Sequence, residues 1–235
     1  MSFLKSWLLR QNCHINIVPA INKQIPPVWK WFVYRWLPCE NNESFFDKYL
    51  STDKMKTRFI NELAKHGLLS IMIWIKNENR FLLDSTTSSS AAKNNHLDVL
   101  KWLKENNCPW NENTCTSAAQ NGHLEILKWL KKNDCPWDRW TCARAAQGGH
   151  LKILKWARAE FHDKNIWPWD TWTCSYAAHN GHLEILKWAR ADFHGENVCP
   201  WDIGSICSNA ASNGHVEVLQ WARANGCPWY ETTSY

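Results

Sequence analysis

Two residue types recur in this chain at intervals that invite a chemical reading. Histidine stands at His96, His123, His150, His182 and His215, with spacings of 27, 27, 32 and 33 residues. Eight of the ten cysteines also hold repeated places: Cys108, Cys135, Cys199 and Cys227 precede Pro-Trp, and Cys115, Cys142, Cys174 and Cys207 follow further on. Histidine with cysteine is a zinc-ligand set, yet all ligands must lie about 2 Å from one ion. Copies of one position in stacked helical repeats are separated by roughly 8–10 Å, the helix-packing distance. They cannot share a metal, and the histidines are expected instead to hydrogen-bond a turn.

The same separation exceeds the roughly 7 Å between Cα atoms that a disulfide tolerates, so no ladder of bonds between repeats is expected. Distance does not exclude the Cys-x6-Cys pairs within one repeat, but without a secretion signal the thiols are read as reduced, small buried hydrophobes. No glycine-rich phosphate loop, His-Glu-x-x-His or flanked nucleophile is present. The sequence therefore predicts no catalysis, no cofactor and no metal.

The elements that carry these residues follow from the text around each histidine. A tryptophan stands six places after it, at Trp102, Trp129, Trp156, Trp188 and Trp221. Between them, Leu124, Ile126, Leu127, Trp129 and Leu130 are apolar and Glu125 and Lys128 charged, the wide apolar face of a helix that touches several neighbours. Before the histidine, Ala118-Ala119, Ala145-Ala146, Ala177-Ala178 and Ala210-Ala211 favour a first helix that approaches others closely. Gly122, Gly149, Gly181 and Gly214 suit the turn between the two helices. Pro109, Pro136, Pro168, Pro200 and Pro228 mark the exit from the second helix. Asn111, Asp138, Asp170 and Asp202 are placed to cap the next first helix.

The template extends upstream to Ala64–Ile75, with Leu68 in the histidine place and Trp74 lying 28 residues before Trp102. Six repeats are thus expected over 57–235, the first and last atypical, as capping repeats are. Residues 1–56 are expected to form a helical N-terminal cap, with Arg35-Trp36-Leu37 as the remnant of an earlier repeat.

Composition narrows the function classes. The 18 tryptophans sit mostly at fixed places in the repeat, where large rings fill the joints between neighbours. Net charge is +5, of which residues 1–56 carry +4, from 8 basic minus 4 acidic side chains. In the repeats, Lys101, Lys128 and Lys187 follow Asp98, Glu125 and Glu184 at i, i+3, ordinary pairs on a solvated helix face. The continuous basic stripe that nucleic-acid binding needs is absent. No apolar run reaches the roughly 20 residues of a membrane span. The reading is a soluble, cytoplasmic, unexported monomer that binds neither membrane nor nucleic acid.

The run Ala-Ala-x-x-Gly-His-Leu-Glu-Ile-Leu-Lys resembles the ankyrin helix-turn-helix signature, over about 57–235. It departs in two ways: Thr114-Cys115-Thr116-Ser117 replaces the usual Thr-Pro-Leu-His, and most spacings are 27 or 28 residues instead of 33. The resemblance implies an all-α, ankyrin-like helical-repeat solenoid with short loops in place of β-hairpins. The Cys-Pro-Trp and Leu-Lys-Trp text is similar to tryptophan-rich ankyrin proteins of giant DNA viruses of amoebae and some protists. That likeness implies a protein-interaction scaffold, acting on a host protein in the host cytoplasm. Some such proteins carry an F-box, and Leu37-Pro38-Cys39-Glu40 with Phe45-Phe46 faintly resembles its start, so a ubiquitin-ligase adaptor is the contrasting expectation.

Two sets of residues are candidates for binding a protein partner. Five extra residues follow Trp156 and Trp188, with similar text, Phe161-His162 and Phe193-His194. They form either a doubled projection, as repeat insertions on binding faces do, or a longer second helix whose phenylalanines pack. The second set is the outward side of the first helices, where Arg144, Tyr176 and His179 fall, with Trp140 and Trp172 just before. Aromatic and arginine side chains are common interface anchors, but these two tryptophans could also simply stack.

Overall fold

The computed structural model describes residues 52–77, 82–161, 170–191 and 203–226. Of the text read above as a cap, residues 1–51, including the F-box-like start, lie outside them, while Asp53–Lys56 belong to the first helix of the repeats. The chain divides into two compact bodies, residues 1–109 and 110–235. The first holds helix pairs α1 (Asp53–Lys65) with α2 (Leu69–Asn77) and α3 (Ser85–Lys93) with α4 (Leu97–Glu105). The second holds α5 (Glu112–Gln120) with α6 (Leu124–Lys132), α7 (Arg139–Gln147) with α8 (Leu151–Phe161), α9 (Thr171–His179) with α10 (Leu183–Arg190), and α11 (Ile203–Ser212) with α12 (Val216–Ala224). No strand occurs among the described residues. The fold is the expected all-α helical repeat, with short loops at 106–111 and 133–138 where hairpins would stand.

The α5–α6 repeat shows why. In α6, Ile126, Leu127 and Leu130 are buried, each such side chain contributing about 1.5–3 kcal/mol on leaving water. On the opposite side Lys128 pairs with Glu125 at 2.8 Å, as Lys187 does with Glu184 at 3.0 Å. In α5 the buried residues are Thr114, Cys115, Ala118 and Ala119, all small. First helices can therefore lie side by side, and α7 packs against both α5 and α9, as α9 does against α11. The tryptophans close the joints: Trp110 meets Trp129 edge-on at 5.8 Å between centroids, and Trp137 meets Trp156 at 5.8 Å.

The predicted caps form. Asn111 accepts from the Asn113 amide at 3.1 Å, Asp138 from Thr141 at 3.1 Å and Asp170 from Trp172 at 3.0 Å, each worth about 1 kcal/mol. Asp202 lies outside the described residues. The helix exits differ from expectation. The second helices end before the proline, at Asn107 (φ 55°) and Asp134 (φ 58°). There the Cys108 and Cys135 amides donate back to Leu103 and Leu130 at 2.9 and 3.0 Å. This left-handed closure satisfies the orphan carbonyls, and the proline only blocks re-entry.

The histidines hold the turn of the preceding repeat. His150 Nε2 donates to the Gln120 carbonyl at 3.0 Å, His182 to Gln147 at 3.0 Å and His215 to His179 at 2.9 Å; within the first body His96 reaches Lys65 at 3.0 Å. The His150 ring also lies against Gly122, whose φ is +80°.

Cys108, Cys115, Cys135, Cys142 and Cys174 are free and buried, as expected of reduced thiols. Cys207 departs from that expectation: it is disulfide-bonded. Burial pushes the Cys108 thiol up to about 11, with the Ser88 hydrogen bond opposing and Asp84 adding to the shift. An unfolded thiol ionises near 8.5, so the folded state holds the proton longer. The stabilisation is complete below pH 8.5 and lost as pH rises towards 11, at about 1.4 kcal/mol per pH unit. Urea unfolding midpoints measured from pH 8 to 10.5 should fall more steeply for the native chain than for Cys108→Ala.

Candidate functional site

Side-by-side packing of α7, α9 and α11 brings equivalent positions of successive first helices into rows. Residues 141–143, 145 and 146 of α7 and 173–175, 177 and 178 of α9 are buried, while the second, sixth and ninth positions of each helix keep contact with water. The second positions are Trp140 and Trp172, the sixth Arg144 and Tyr176, and the ninth Gln147 and His179. On each helix the second and sixth positions are i, i+4 neighbours on one side.

These side chains form one connected group. The Trp140 and Trp172 rings lie 5.9 Å apart at 37°, and Trp172 lies 5.9 Å from Tyr176 at 36°. The Arg144 guanidinium stands 5.3 Å from the Tyr176 ring centre, and its Nη1 donates to Gln147 Oε1 at 2.6 Å. Gln120 of α5 extends the row, its Nε2 donating to the same oxygen at 3.4 Å. Arg139 covers the other end, 5.6 Å from the Trp140 ring centre, with Nε 3.7 Å from Asp170 Oδ2.

Asp170 thus serves both as the α9 cap and as an anchor for Arg139. Where Thr141 Oγ1 bonds its cap Asp138 at 3.1 Å, the equivalent Thr173 hydroxyl is buried with no hydrogen-bond partner among the described residues. His179 closes the row on the α11 side, where Asn213 Nδ2 donates to its Nδ1 at 2.9 Å.

Stacking between repeats is thus real for Trp140 and Trp172, yet it does not hide them equally. Trp140 is half-buried while Trp172 keeps 46 % of its surface in water. An indole fixed by two neighbours and still exposed loses little conformational entropy when a partner covers it. The row carries the positive charges of Arg139 and Arg144 beside π faces. Arg139 was not among the residues singled out in the sequence; its signal was a basic residue wedged between the cap Asp138 and Trp140.

The insertion residues fare differently. Phe161 is buried, 7 % exposed, in the last turn of α8, which runs two residues longer than α6. Its ring packs on Trp137 at 5.3 Å and under Lys131 Nζ at 4.9 Å. Phe161 is therefore a packing residue and not an exposed contact, because the two extra helical residues bring its ring onto Trp137 and Lys131. His162, Phe193 and His194 lie outside the described residues.

Residues 88–166 match the sequence model of ankyrin repeats in three copies. This stretch is built of ankyrin repeats. Their helix-turn-helix text recurs beyond it, in α9–α10 and α11–α12. No curated protein matches the chain. Among the described residues, no helix of these ankyrin repeats is long and apolar enough to cross a membrane, and no three histidine, cysteine or acidic side chains gather as metal ligands do.

Proposed function

We propose that the protein is a non-enzymatic scaffold that binds another protein through the row Arg139, Trp140, Arg144, Trp172, Tyr176 and His179 on its first helices. Ankyrin repeats generally mediate protein–protein interaction. The observation that carries this reading is the exposure of Trp172 within a group whose members are held by one another. Exposed aromatic and arginine side chains in a fixed arrangement are the residues that dominate interface energies. The two arginines favour a partner segment bearing acidic and aromatic or apolar side chains. The likeness of the Cys-Pro-Trp text to viral ankyrin proteins supports a host protein as that partner.

The test is capture of partners from the native cell with the full chain, identification by mass spectrometry, and affinity measurement on the partner found. Trp172→Ala combined with Arg144→Ala is expected to weaken binding at least about 30-fold, the effect of losing one interface hot spot of about 2 kcal/mol. Helix content should not change, because both side chains lie outside the buried core. Undiminished affinity in the double variant would exclude this face.

A further inference from the structure

We propose that Cys115 and Cys135 form a dithiol that closes into a disulfide inside its own repeat. Three observations lead there. First, Cys115 in α5, 0 % exposed, and Cys135 in the loop after α6, 5 % exposed, are near enough for Cys135 to be the largest influence on the Cys115 thiol, and Cys135 Sγ lies 3.6 Å from the Asn111 carbonyl at the start of α5. Their pairing joins the start of a repeat to its exit.

Second, the first body repeats the contact with one sulfur replaced by oxygen. Ser88 occupies in α3 the place of Cys115 in α5, three residues before an alanine pair, and its Oγ lies 3.4 Å from Cys108 Sγ. Each exit sulfur also sits near the carbonyl of its first helix's cap, Cys108 on Asp84 at 3.3 Å and Cys135 on Asn111 at 3.6 Å. The juxtaposition therefore belongs to the repeat and not to one accident of packing.

Third, Cys207 holds the Cys115 place in α11 and is already disulfide-bonded. Cys227 stands 20 residues after it, as Cys135 stands 20 after Cys115. The α7–α8 repeat cannot do the same, since Trp167 occupies its exit place beside Pro168.

With glutathione disulfide as oxidant the step balances. The Cys135 thiolate attacks one glutathione sulfur and expels glutathione thiolate; the Cys115 thiolate then attacks the Cys135 sulfur of the mixed disulfide and expels the second. The protein loses two electrons and two protons, and two glutathione thiols take them up. Cys135 goes first because it is in the loop, while Cys115 is enclosed by helices. Both are buried, and the neighbouring Cys135 thiol, followed by burial, raises the Cys115 thiol well above its ordinary range. Exchange therefore passes through opening of the proline loop and is slow in both directions. Once formed, the bond ties α5 to the exit of α6 and restricts the unfolded chain.

The experiment equilibrates the full-length chain in glutathione buffers from reducing to oxidising, then denatures, alkylates and maps peptides by mass spectrometry. Expected is a peptide linked through Cys115 and Cys135, short of two hydrogens. Oxidation should raise the urea midpoint, and Cys115→Ser should remove both the link and the part of the shift that belongs to it. That variant should fold, because Ser88 already fills the equivalent place. Cys108→Ser should keep the link. Full alkylation of Cys135 in the most oxidising buffer, or its linkage to Cys108 or Cys142, would overturn the pairing.

Discussion

Phe161→Ala is expected to destabilise the second body by about 3 kcal/mol while leaving the arginine–aromatic row intact. The ring is nearly enclosed, and truncating a buried phenylalanine removes its transfer energy and leaves a cavity, together about 3–5 kcal/mol. The lower end applies because Phe161 closes the last turn of α8 and is not at the centre of a layer. Loss of the Trp137 contact and of Lys131 above the ring is included in that figure. Urea unfolding followed by circular dichroism should show the midpoint falling with helix content preserved in water. Affinity for the partner should be unchanged below the transition. Weakened binding at full stability would mean instead that the edge beyond Trp156 is a contact surface.

Gly122→Ala is expected to cost about 3 kcal/mol, and Gly214→Ala only about 1. Both glycines have left-handed backbones, φ +80° and +71°, and an alanine there costs roughly 1–2 kcal/mol. What separates them is the neighbour. A Cβ at Gly122 would lie 2.7 Å from His150 Cε1 and 2.8 Å from Nδ1, whereas at Gly214 it would meet nothing within 4 Å among the described residues. The imidazole must then move and give up its bond to the Gln120 carbonyl, about 1 kcal/mol, along with its packing. Because glycine and histidine touch, their effects are not independent. Adding His150→Ala to Gly122→Ala should cost less than the sum of the two single changes. Equal losses for Gly122→Ala and Gly214→Ala in chemical denaturation would remove the close approach as the reason for glycine.

These two cases mark where sequence reading succeeds and where it stops. Gly122 was legible as a turn because its place between an alanine pair and an apolar run demands a left-handed residue. Asn95 supports the same logic, taking the glycine place in the α3–α4 repeat with φ 63°. The second, steric demand on Gly122 was invisible, since the ring that presses on it stands 28 residues away in the next repeat. Phe161 was legible as an interruption of the period. Its direction was not, because two further helical residues decide whether a side chain points outwards or back onto a neighbour.

The candidate row was half legible. Trp140, Arg144, Trp172, Tyr176 and His179 stood out because the repeat's text varies there while the surrounding positions do not. Arg139 joins them only through its approach to Asp170 of the following repeat. The cysteines give the sharpest contrast: their spacing showed which were equivalent, but not that Cys115 lies beside Cys135.

By itself the amino-acid sequence determined the helix pairs, their caps, their turns and their buried faces. Each of these follows from a periodicity or a preference expressed within about a dozen neighbouring residues. Only the tertiary structure decided which histidine holds which carbonyl, which thiols meet, and which aromatic rings remain in water. Such contacts depend on how far and at what angle one helix pair is displaced from the next. That displacement results from the packing of whole faces, and no single residue or spacing records it.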